Sequence, residues 1–413
     1  MDIVVQKFGG SSVADLNCMQ QVKSKVQKKL DQGCKVVVIL SAMSGETDRL
    51  ISMAKEWSTN PDPAEMDTLL TTGEQASAAL FTMLLIKNQI KARSLLGFQI
   101  PIHTDRSFGR SRILDIDSEK LQEHLERHDV LVVAGFQGCD YNYNLTTLGR
   151  GGSDTSAVAI SAALKANVCE IYTDVDGVYT TDPNICLQAR KLNKIAYDEM
   201  LEMSSMGAKV LQIRSVEFAK KYSVPVHVRS TFHDQPGTLL VQEDNEMESV
   251  MVSGVTYDKN QARITMVEVD DQPGIAASIF EPLASSGILV DMIVQNPSHE
   301  GKTDITFTVT RGDLEKALQI IDTIKDKMGT KEVLSDTKVC KVSVIGVGMR
   351  NHSGVAAIAF KALQTEHINI IIISTSEIKI SCLIEEKYTE LAVRTLHDAF
   401  GLDQDPQTQP KNS

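Results

Sequence analysis

Thr147-Leu148-Gly149-Arg150-Gly151-Gly152-Ser153-Asp154-Thr155-Ser156-Ala157 sets three glycines, a guanidinium and a carboxylate just before a run with helical character. Glycines let backbone N–H groups approach an anion with no Cβ in the way. The start of the following helix, expected over Ser156 to Lys165, adds unpaired donors and a positive dipole end. Arg150 supplies a planar fork for a carboxylate or phosphate. The stretch is neither of the two best-known glycine loops. Ser153-Asp154 follow the glycines where a Walker loop needs Lys-Ser/Thr, and Asp154 stands where a dinucleotide fingerprint needs a third glycine. A bare strand-to-helix turn accounts for the glycines and leaves Arg150 and Asp154 unexplained.

Upstream, Ile3 to Phe8 reads as a buried strand that ends at Gly9-Gly10-Ser11-Ser12, with helical spacing of apolar residues from Val13 to Leu30. Lys7 therefore lies at the carboxyl end of a strand, the edge where ligands collect in open α/β sheets. Gly9, Gly10 and Ser11 have the composition of a phosphate cradle. A second buried strand, Lys35 to Leu40, runs into small and polar residues that include Ser41 and Thr47. The helix expected over Asp67 to Ile86 carries Gly73, which costs about 1 kcal/mol relative to Ala and so needs a packing or approach reason. Glu74 beside it is a candidate for gripping an ammonium group.

Downstream, residues 92 to 147 alternate short strands and helices: strands at Ala92 to Leu96 and Val130 to Phe136, and a helix at Ser118 to Arg127. The strand Cys169 to Thr173 runs into Asp174-Val175-Asp176-Gly177-Val178-Tyr179, a set suited to nucleoside or metal-bound phosphate contact. Helices are expected at Tyr197 to Met206 and from Gly207 to about Lys221. Lys209 sits at the helix end that disfavours cations, a position explained if it reaches phosphate. Val224 to Val228 supplies a last strand, and the acidic stretch Gln242 to Glu248 reads as a linker.

Composition narrows the function classes. With 413 residues, two or three domains are expected. A net charge of −12 argues against nonspecific nucleic-acid binding and against an anionic membrane surface. Seven scattered cysteines without a C-x-x-C spacing suit a reducing cytoplasm rather than a disulfide framework or zinc site. No basic leader precedes a long apolar core and no apolar run reaches about 18 residues, so a soluble cytoplasmic protein is expected.

The C-terminal part repeats. With a shift of 80 residues, Gly274 lies over Gly354, Ala276-Ala277 over Ala356-Ala357, Phe280 over Phe360, Leu283 over Leu363 and Ile288 over Ile368. Each copy reads as a small ferredoxin-like α/β unit. The tail from Gln404 onward is polar and contains proline, and disorder is expected there.

Taken together, Lys7-Phe8-Gly9-Gly10-Ser11-Ser12, Thr72-Gly73-Glu74, Gly149-Arg150-Gly151-Gly152-Ser153-Asp154, Tyr172-Thr173-Asp174-Val175-Asp176-Gly177 and the twin C-terminal units closely resemble the monofunctional bacterial aspartokinases, over nearly the whole chain. The resemblance implies an α/β fold: an amino-acid-kinase-like αβα sandwich over 1–245, followed by ferredoxin-like (βαββαβ) ACT units over 246–336 and 337–401, with a tail over 402–413. It implies transfer of a phosphoryl group from ATP to the side-chain carboxylate of L-aspartate, opening the route to lysine, threonine, methionine and diaminopimelate.

Carried onto matching positions, Lys7 would neutralise the transferring phosphoryl group, with Gly9, Gly10 and Ser11 as donors. Ser41, Thr47, Glu74, Arg150, Ser153 and Asp154 would hold aspartate, and Thr173, Asp174, Tyr179 and Lys209 would serve ATP. Mg²⁺ would be held mainly through phosphates and water, since no protein cage for a metal is legible. Three positions depart from the pattern of relatives: Asn184 where arginine is usual, Ser353 where proline is common, and Ile275 where some carry an acidic residue.

Some 150 residues without catalytic motifs need another reason to be attached, and feedback inhibition by lysine, threonine or both is the expectation. In the first unit Asp271 would take an ammonium, the amides around Gly274, Ile275 and Ala276 a carboxylate, and Gln295 lies on the adjacent strand. The second unit offers Asn351, His352, Gly354 and Val355, with Thr375, Ser376 and Glu377 across from them. A homo-oligomer through the ACT units is expected, with room for a shorter subunit begun near Met247 or Met251. A kinase of another amino acid and a non-catalytic amino-acid sensor are the alternatives. The first would not usually pair this Glu74 motif with twin ACT units, and intact Lys7, Arg150 and Asp154 argue against the second.

Overall fold

β-Branched runs separated by glycine turns build a first unit, residues 2–179 and 191–247, on an eight-stranded sheet. The computed structural model describes residues 2–205, 210–297 and 300–404. In chain order this unit runs β1 (Ile3–Phe8), α1 (Leu16–Leu30), β2 (Lys35–Leu40), α2 (Glu46–Trp57), α3 (Pro63–Lys87), β3 (Ala92–Leu95), β4 (Ile102–Thr104), β5 (Ile113–Ile116), α4 (Ser118–Arg127), β6 (Val130–Ala134), β7 (Gln137–Cys139), β8 (Leu145–Thr147), α5 (Gly152–Leu164), β9 (Val168–Thr173), β10 (Lys194–Ala196), α6 (Tyr197–Ser205), α7 (Ile213–Tyr222), β11 (Val226–Ser230) and β12 (Thr238–Val241).

The main sheet has the order β10-β12-β11-β9-β1-β2-β6-β3 and is parallel except where β11 meets β12. A parallel sheet needs cover on both faces. Val36, Val38 and Leu40 of β2 join Phe8 of β1, Val22 and Val26 of α1, and Phe81 and Leu85 of α3 in one core. Val37 and Ile39 are equally buried but point the other way, where α5 packs on β1, β2 and β9. The result is the expected αβα sandwich. α3 is long and apolar enough to cross a membrane by length and composition, but half of that stretch is buried within the protein.

Several boundaries differ from the sequence reading. α1 begins at Leu16, because Asp15 accepts hydrogen bonds from the amides of Asn17 and Cys18 and so caps the helix there. α3 begins at Pro63, capped by Asp62 and favoured by proline at the first helical position. α5 begins at Gly152, which puts Ser153 and Asp154 inside its first turn. α7 begins at Ile213, and Lys209 lies outside the described residues. A second sheet, β5-β4-β7-β8, was not legible, since strands of three or four residues are too short to show a period.

The second unit comprises residues 180–190 and the chain from Glu248 onward. It runs β13 (Gly254–Asp270), α8 (Ile275–Ser285), β14 (Val290–Gln295), β15 (Lys302–Thr310), α9 (Leu314–Ile324), β16 (Glu332–Ile345), α10 (Val355–Thr365), β17 (Ile370–Thr375), β18 (Lys379–Glu385) and α11 (Thr389–Ala399). The 80-residue repeat is present in the backbone: α8 and α10, and β14 and β17, are separated by that shift, and the caps Gly274 and Gly354 have φ of 93° and 95°.

The two copies share one antiparallel sheet in the order β14-β15-β13-β16-β18-β17. The fourth strand of the first copy is the start of β16, where Val333 to Val339 pairs with β13. The fourth strand of the second copy is the start of β13, where Gly254 to Asp258 pairs with Lys341 to Ile345. Residues 252–258, assigned on sequence to the first ACT unit, thus serve the second: Val252 and Val255 lie in its core with Val342, Leu363 and Leu396. Leu402, assigned to the tail, is 3% exposed in the same core; residues 405–413 lie outside the described residues.

Residues 180–190 also depart from the expected division, because they leave the sandwich to join the second unit. The Val255 amide donates to the Thr180 carbonyl at 2.7 Å, the Tyr257 hydroxyl to Asp182 at 2.9 Å, and Thr180 Oγ1 lies 3.0 Å from Nε2 of the fully buried His397. Asn184 is spent on its own turn, donating to Asp182 Oδ1.

Candidate active site

The sheet order brings the carboxyl ends of β9, β1, β2 and β6 side by side, so Asp174, Gly9, Ser41 and Gly135 follow one edge. Lys7 pairs in register with Ile39 of β2 and Ile171 of β9, both buried. Its Nζ lies 2.6 Å from Asp154 Oδ1, with side-chain exposures of 12% and 9%. The two residues, one in β1 and one in the first turn of α5, are 147 positions apart in chain and meet because α5 lies on β1. Asp154 Oδ1 has no aligned hydrogen bond, so the contact is an ion pair off the hydrogen-bond axis.

Glu74 is the second buried carboxylate at this edge. It is 4% exposed; one oxygen accepts from the Ala42 amide at 3.0 Å and the other is buried without a partner. Burial pushes its carboxyl up to about 7, against which the Ala42 amide works. The neighbouring glycines explain themselves through close approach. A Cβ on Gly73 would meet Ala42 Cβ at 2.8 Å, and one on Gly10 would meet the Ala42 carbonyl at 3.0 Å. Ala42 thus joins the first glycine turn to α3, and sequence reasoning missed it, since nothing marks an alanine amide as a ligand.

The stretch from Gly149 to Asp154 is built by two left-handed glycines, Gly149 at φ 78° and Gly151 at φ 71°, and a helix start at Gly152. A Cβ on Gly151 would overlap Gln212 Cγ at 1.8 Å, so any side chain there would have to displace Gln212 as well as adopt a left-handed backbone. Arg150 is exposed, whereas Ser153 and Asp154 are buried. A Cβ on Gly135 would lie 2.9 Å from Ser153 Oγ, which identifies Gly135 as the backbone against which Ser153 is set.

Two side chains hold this stretch from outside. Asp67 accepts from the amide and hydroxyl of Thr147 and from the Gly109 amide; Arg214 donates to the carbonyls of Leu148 and Ser111. Neither was singled out on sequence. Asp67 stands seven residues before Glu74 on the same helix face, a spacing that was readable.

At the end of β9, Thr173 Oγ1 donates to Asp174 at 2.9 Å, and the Tyr179 hydroxyl donates to Asp176 at 2.8 Å, with Lys191 3.0 Å from the other Asp176 oxygen. Ser11 is exposed on the turn after Gly10, and Thr47 lies in the first turn of α2. No cluster of three or more His, Cys, Asp and Glu side chains poised for a metal occurs among the described residues. The arrangement can neutralise an anion at Lys7, donate to it from glycine-rich backbone, and accept a cation at Glu74.

The second unit holds the loops singled out on sequence. Asp271, Gln272, Pro273, Gly274, Ile275, Ala276 and Gln295 line one open cavity of about 450 Å³ at the start of α8. In the other copy, Gly354 caps α10, His352 Nδ1 lies 2.7 Å from the Gly348 carbonyl, and Arg350 lies 3.3 Å from Glu377. Asn351, Thr375 and Ser376 are exposed and Val355 is buried.

Residues 2–230 match the amino acid kinase family, and residues 267–323 and 342–400 match the ACT domain. Aspartate kinase of Pseudomonas putida is 54% identical over 404 residues, covering 98% of each chain. Among solved structures, Escherichia coli aspartokinase III in complex with aspartate and ADP (R-state) superposes with a TM-score of 0.79 at 26% identity, covering 96% of this chain and 99% of that one. The same enzyme in complex with lysine and aspartate (T-state) gives 0.75 at 26% identity, with the same coverage. On this sequence identity and domain order, carried by a sandwich whose glycine turns meet at Lys7 and Asp154, the chain belongs to the aspartokinases, the amino acid kinases that carry two C-terminal ACT domains.

Proposed function

We propose that this aspartate kinase binds L-aspartate through Glu74 and Arg150 and binds ATP across Lys7 and the turn Gly9-Gly10-Ser11. The carrying observation is the buried Glu74 oxygen without a partner, two links from Gly10 through Ala42. A buried acceptor of this kind is costly unless a ligand completes it, and an α-ammonium does so with charge. Arg150 then takes the α-carboxylate, while Ser41, Thr47 and Ser153 accompany the substrate. Thr173, Asp174, Tyr179 and Lys209 are assigned to the nucleotide, as ADP in the E. coli enzyme supports for the class of ligand.

The reaction needs little covalent help. The side-chain carboxylate is already an anionic nucleophile at neutral pH; its oxygen bonds to the γ-phosphorus as the bond to the β,γ-bridging oxygen breaks, giving 4-phospho-L-aspartate and ADP. Positioning and charge neutralisation carry the rate. Lys7 sits where negative charge develops, and Asp154 holds its ammonium in place. Mg²⁺, when bound with the nucleotide, screens phosphate charge. The product opens the route to lysine, threonine, methionine and diaminopimelate.

Regulation is assigned to the ACT loops, with lysine, threonine or both as effectors. The cavity at Asp271 and Gly274 offers a carboxylate beside a helix start, a match for the two charges of an amino acid. Lysine bound to the E. coli enzyme supports that class. ADP release coupled to aspartate and ATP, repeated with glutamate and with added lysine and threonine, tests the proposal. Equal rates with glutamate would overturn the substrate assignment.

A further inference from the structure

We infer that Asp67 is a positioning residue for the substrate: it fixes the loop that presents Arg150. The inference rests on the assignment of Arg150 to the carboxylate of aspartate. Asp67 is 1% exposed and carries a full set of bonds to neutral donors. Its Oδ2 accepts from the Thr147 amide at 2.8 Å, its Oδ1 from the Thr147 hydroxyl at 2.7 Å, and both accept from the Gly109 amide at 3.0 Å. Burying a carboxylate is expensive without such partners, so its use here calls for a reason beyond joining two loops. In an asparagine the charge is gone and one oxygen becomes an amide nitrogen, which cannot accept from the Gly109 amide and meets the Thr147 hydroxyl only if that hydroxyl turns from donor to acceptor.

What the carboxylate holds is the approach to the guanidinium. Thr147 ends β8, and only Leu148 and Gly149 separate it from Arg150. Gly109 and Gly149 are both left-handed, at φ 79° and 78°, and a Cβ on Gly149 would meet the Gly109 carbonyl at 3.0 Å. Asp67 thus ties together the two turns that pack against each other under Arg150. Arg214 adds a second tie from α7, through the carbonyls of Leu148 and Ser111. Arg150 itself is exposed, so the held loop is what fixes the point from which its side chain starts.

α3 makes this tie specific to substrate geometry. Asp67 and Glu74 are seven residues apart, about 10 Å along one helix face. One anchors the loop of the residue for the carboxylate, and the other receives the ammonium. A single rigid helix therefore fixes the spacing between the two charge receptors, and a loosened Asp67 would blur that spacing without touching the phosphate turn at Gly9.

The test compares Asp67→Asn, Thr147→Val, Arg150→Ala and the double variant Asp67→Asn/Arg150→Ala in the full-length enzyme. Asp67→Asn should raise the KM for aspartate about 10- to 100-fold, the scale for lost hydrogen bonds to a charge. The kcat should stay within about threefold and the Kd of a nonhydrolysable ATP analogue within about twofold, as for a loss of uniform substrate binding. Thr147→Val removes one bond and should move KM the same way by less, which decides the matter if Asp67→Asn does not fold. In the Arg150→Ala background, Asp67→Asn should add less than about twofold. Additive effects, equal losses for both substrates, or a drop in thermal stability with unchanged aspartate KM would overturn the inference. If Arg150→Ala itself leaves the aspartate KM unchanged, the underlying assignment of Arg150 fails instead.

Discussion

Lys7 Nζ and Asp154 Oδ1 lie 2.6 Å apart, a cation from the end of a strand and an anion from the first turn of a helix, both largely buried. The anion holds the cation at the sheet edge. Lys7→Ala should lower kcat about 10²- to 10³-fold, the scale for one electrostatic donor lost from a transition state. Lys7→Arg should also be poor, since a planar fork does not replace a compact ammonium. Steady-state kinetics with saturating aspartate and ATP give the answer, and a wild-type kcat in Lys7→Ala would remove Lys7 from the chemistry.

Glu74 gives the enzyme a pH dependence. With its carboxyl pushed up to about 7 by burial, the free enzyme is protonated there at mildly acidic pH and cannot attract an ammonium. The kcat/KM for aspartate should therefore rise with pH through about 7, and Glu74→Gln should flatten that limb. For folding the sign is opposite. A raised carboxyl pKa gives stability that is present below the unfolded value and is lost as pH rises through about 7. A Glu74→Gln enzyme that keeps the wild-type pH profile would clear Glu74 of the ammonium role.

Gly135→Ala places a methyl 2.9 Å from Ser153 Oγ, 3.0 Å from Ile39 and 3.0 Å from the Leu40 carbonyl. Backbone cannot retreat there without disturbing β2, so a loss of about 1–3 kcal/mol is expected. Ser153 should shift with it, raising the aspartate KM more than the nucleotide Kd. Denaturant melts and binding titrations on the same preparation check both halves.

Asp271→Ala and Thr375→Ile should relieve inhibition by lysine or threonine while leaving the uninhibited kcat within a few-fold. Inhibition requires an effector to favour an inactive arrangement, and a coupling of about 1–3 kcal/mol is enough for clear regulation. Rate curves against each effector, alone and together, provide the measurement. Wild-type enzyme that neither slows nor shows a heat of binding with both amino acids at saturation would end the regulatory assignment.

The elements that were legible in the sequence are those whose signal is local. β1, β2 and β9 are β-branched runs that end in glycine or acidic turns, and their register follows once Lys7 is placed between Ile39 and Ile171. The 80-residue repeat was legible because α8 and α10 bury the same positions after left-handed glycine caps. Residues whose role depends on a partner far along the chain were not. Asp67 meets Thr147 across 80 positions, Gly135 is defined by Ser153, and Arg214 works on Leu148. The sharing of β13 and β16 between two copies also escaped notice, because a long strand that serves two cores shows the same alternation as one that serves a single core.

Residues 180–190 bear on how this chain can be divided. A product that began at Met247 or Met251 would inherit every strand and helix from β13 to α11 and still be short of a piece. The amide of Val255 would lack the Thr180 carbonyl, the Tyr257 hydroxyl would lack Asp182, and Nε2 of His397 would lose the Thr180 hydroxyl beside it in a buried site. Ile185, which packs on the core of the second copy, would be missing as well. A chain begun at either methionine would have to borrow this segment from a longer chain or admit water where it lay.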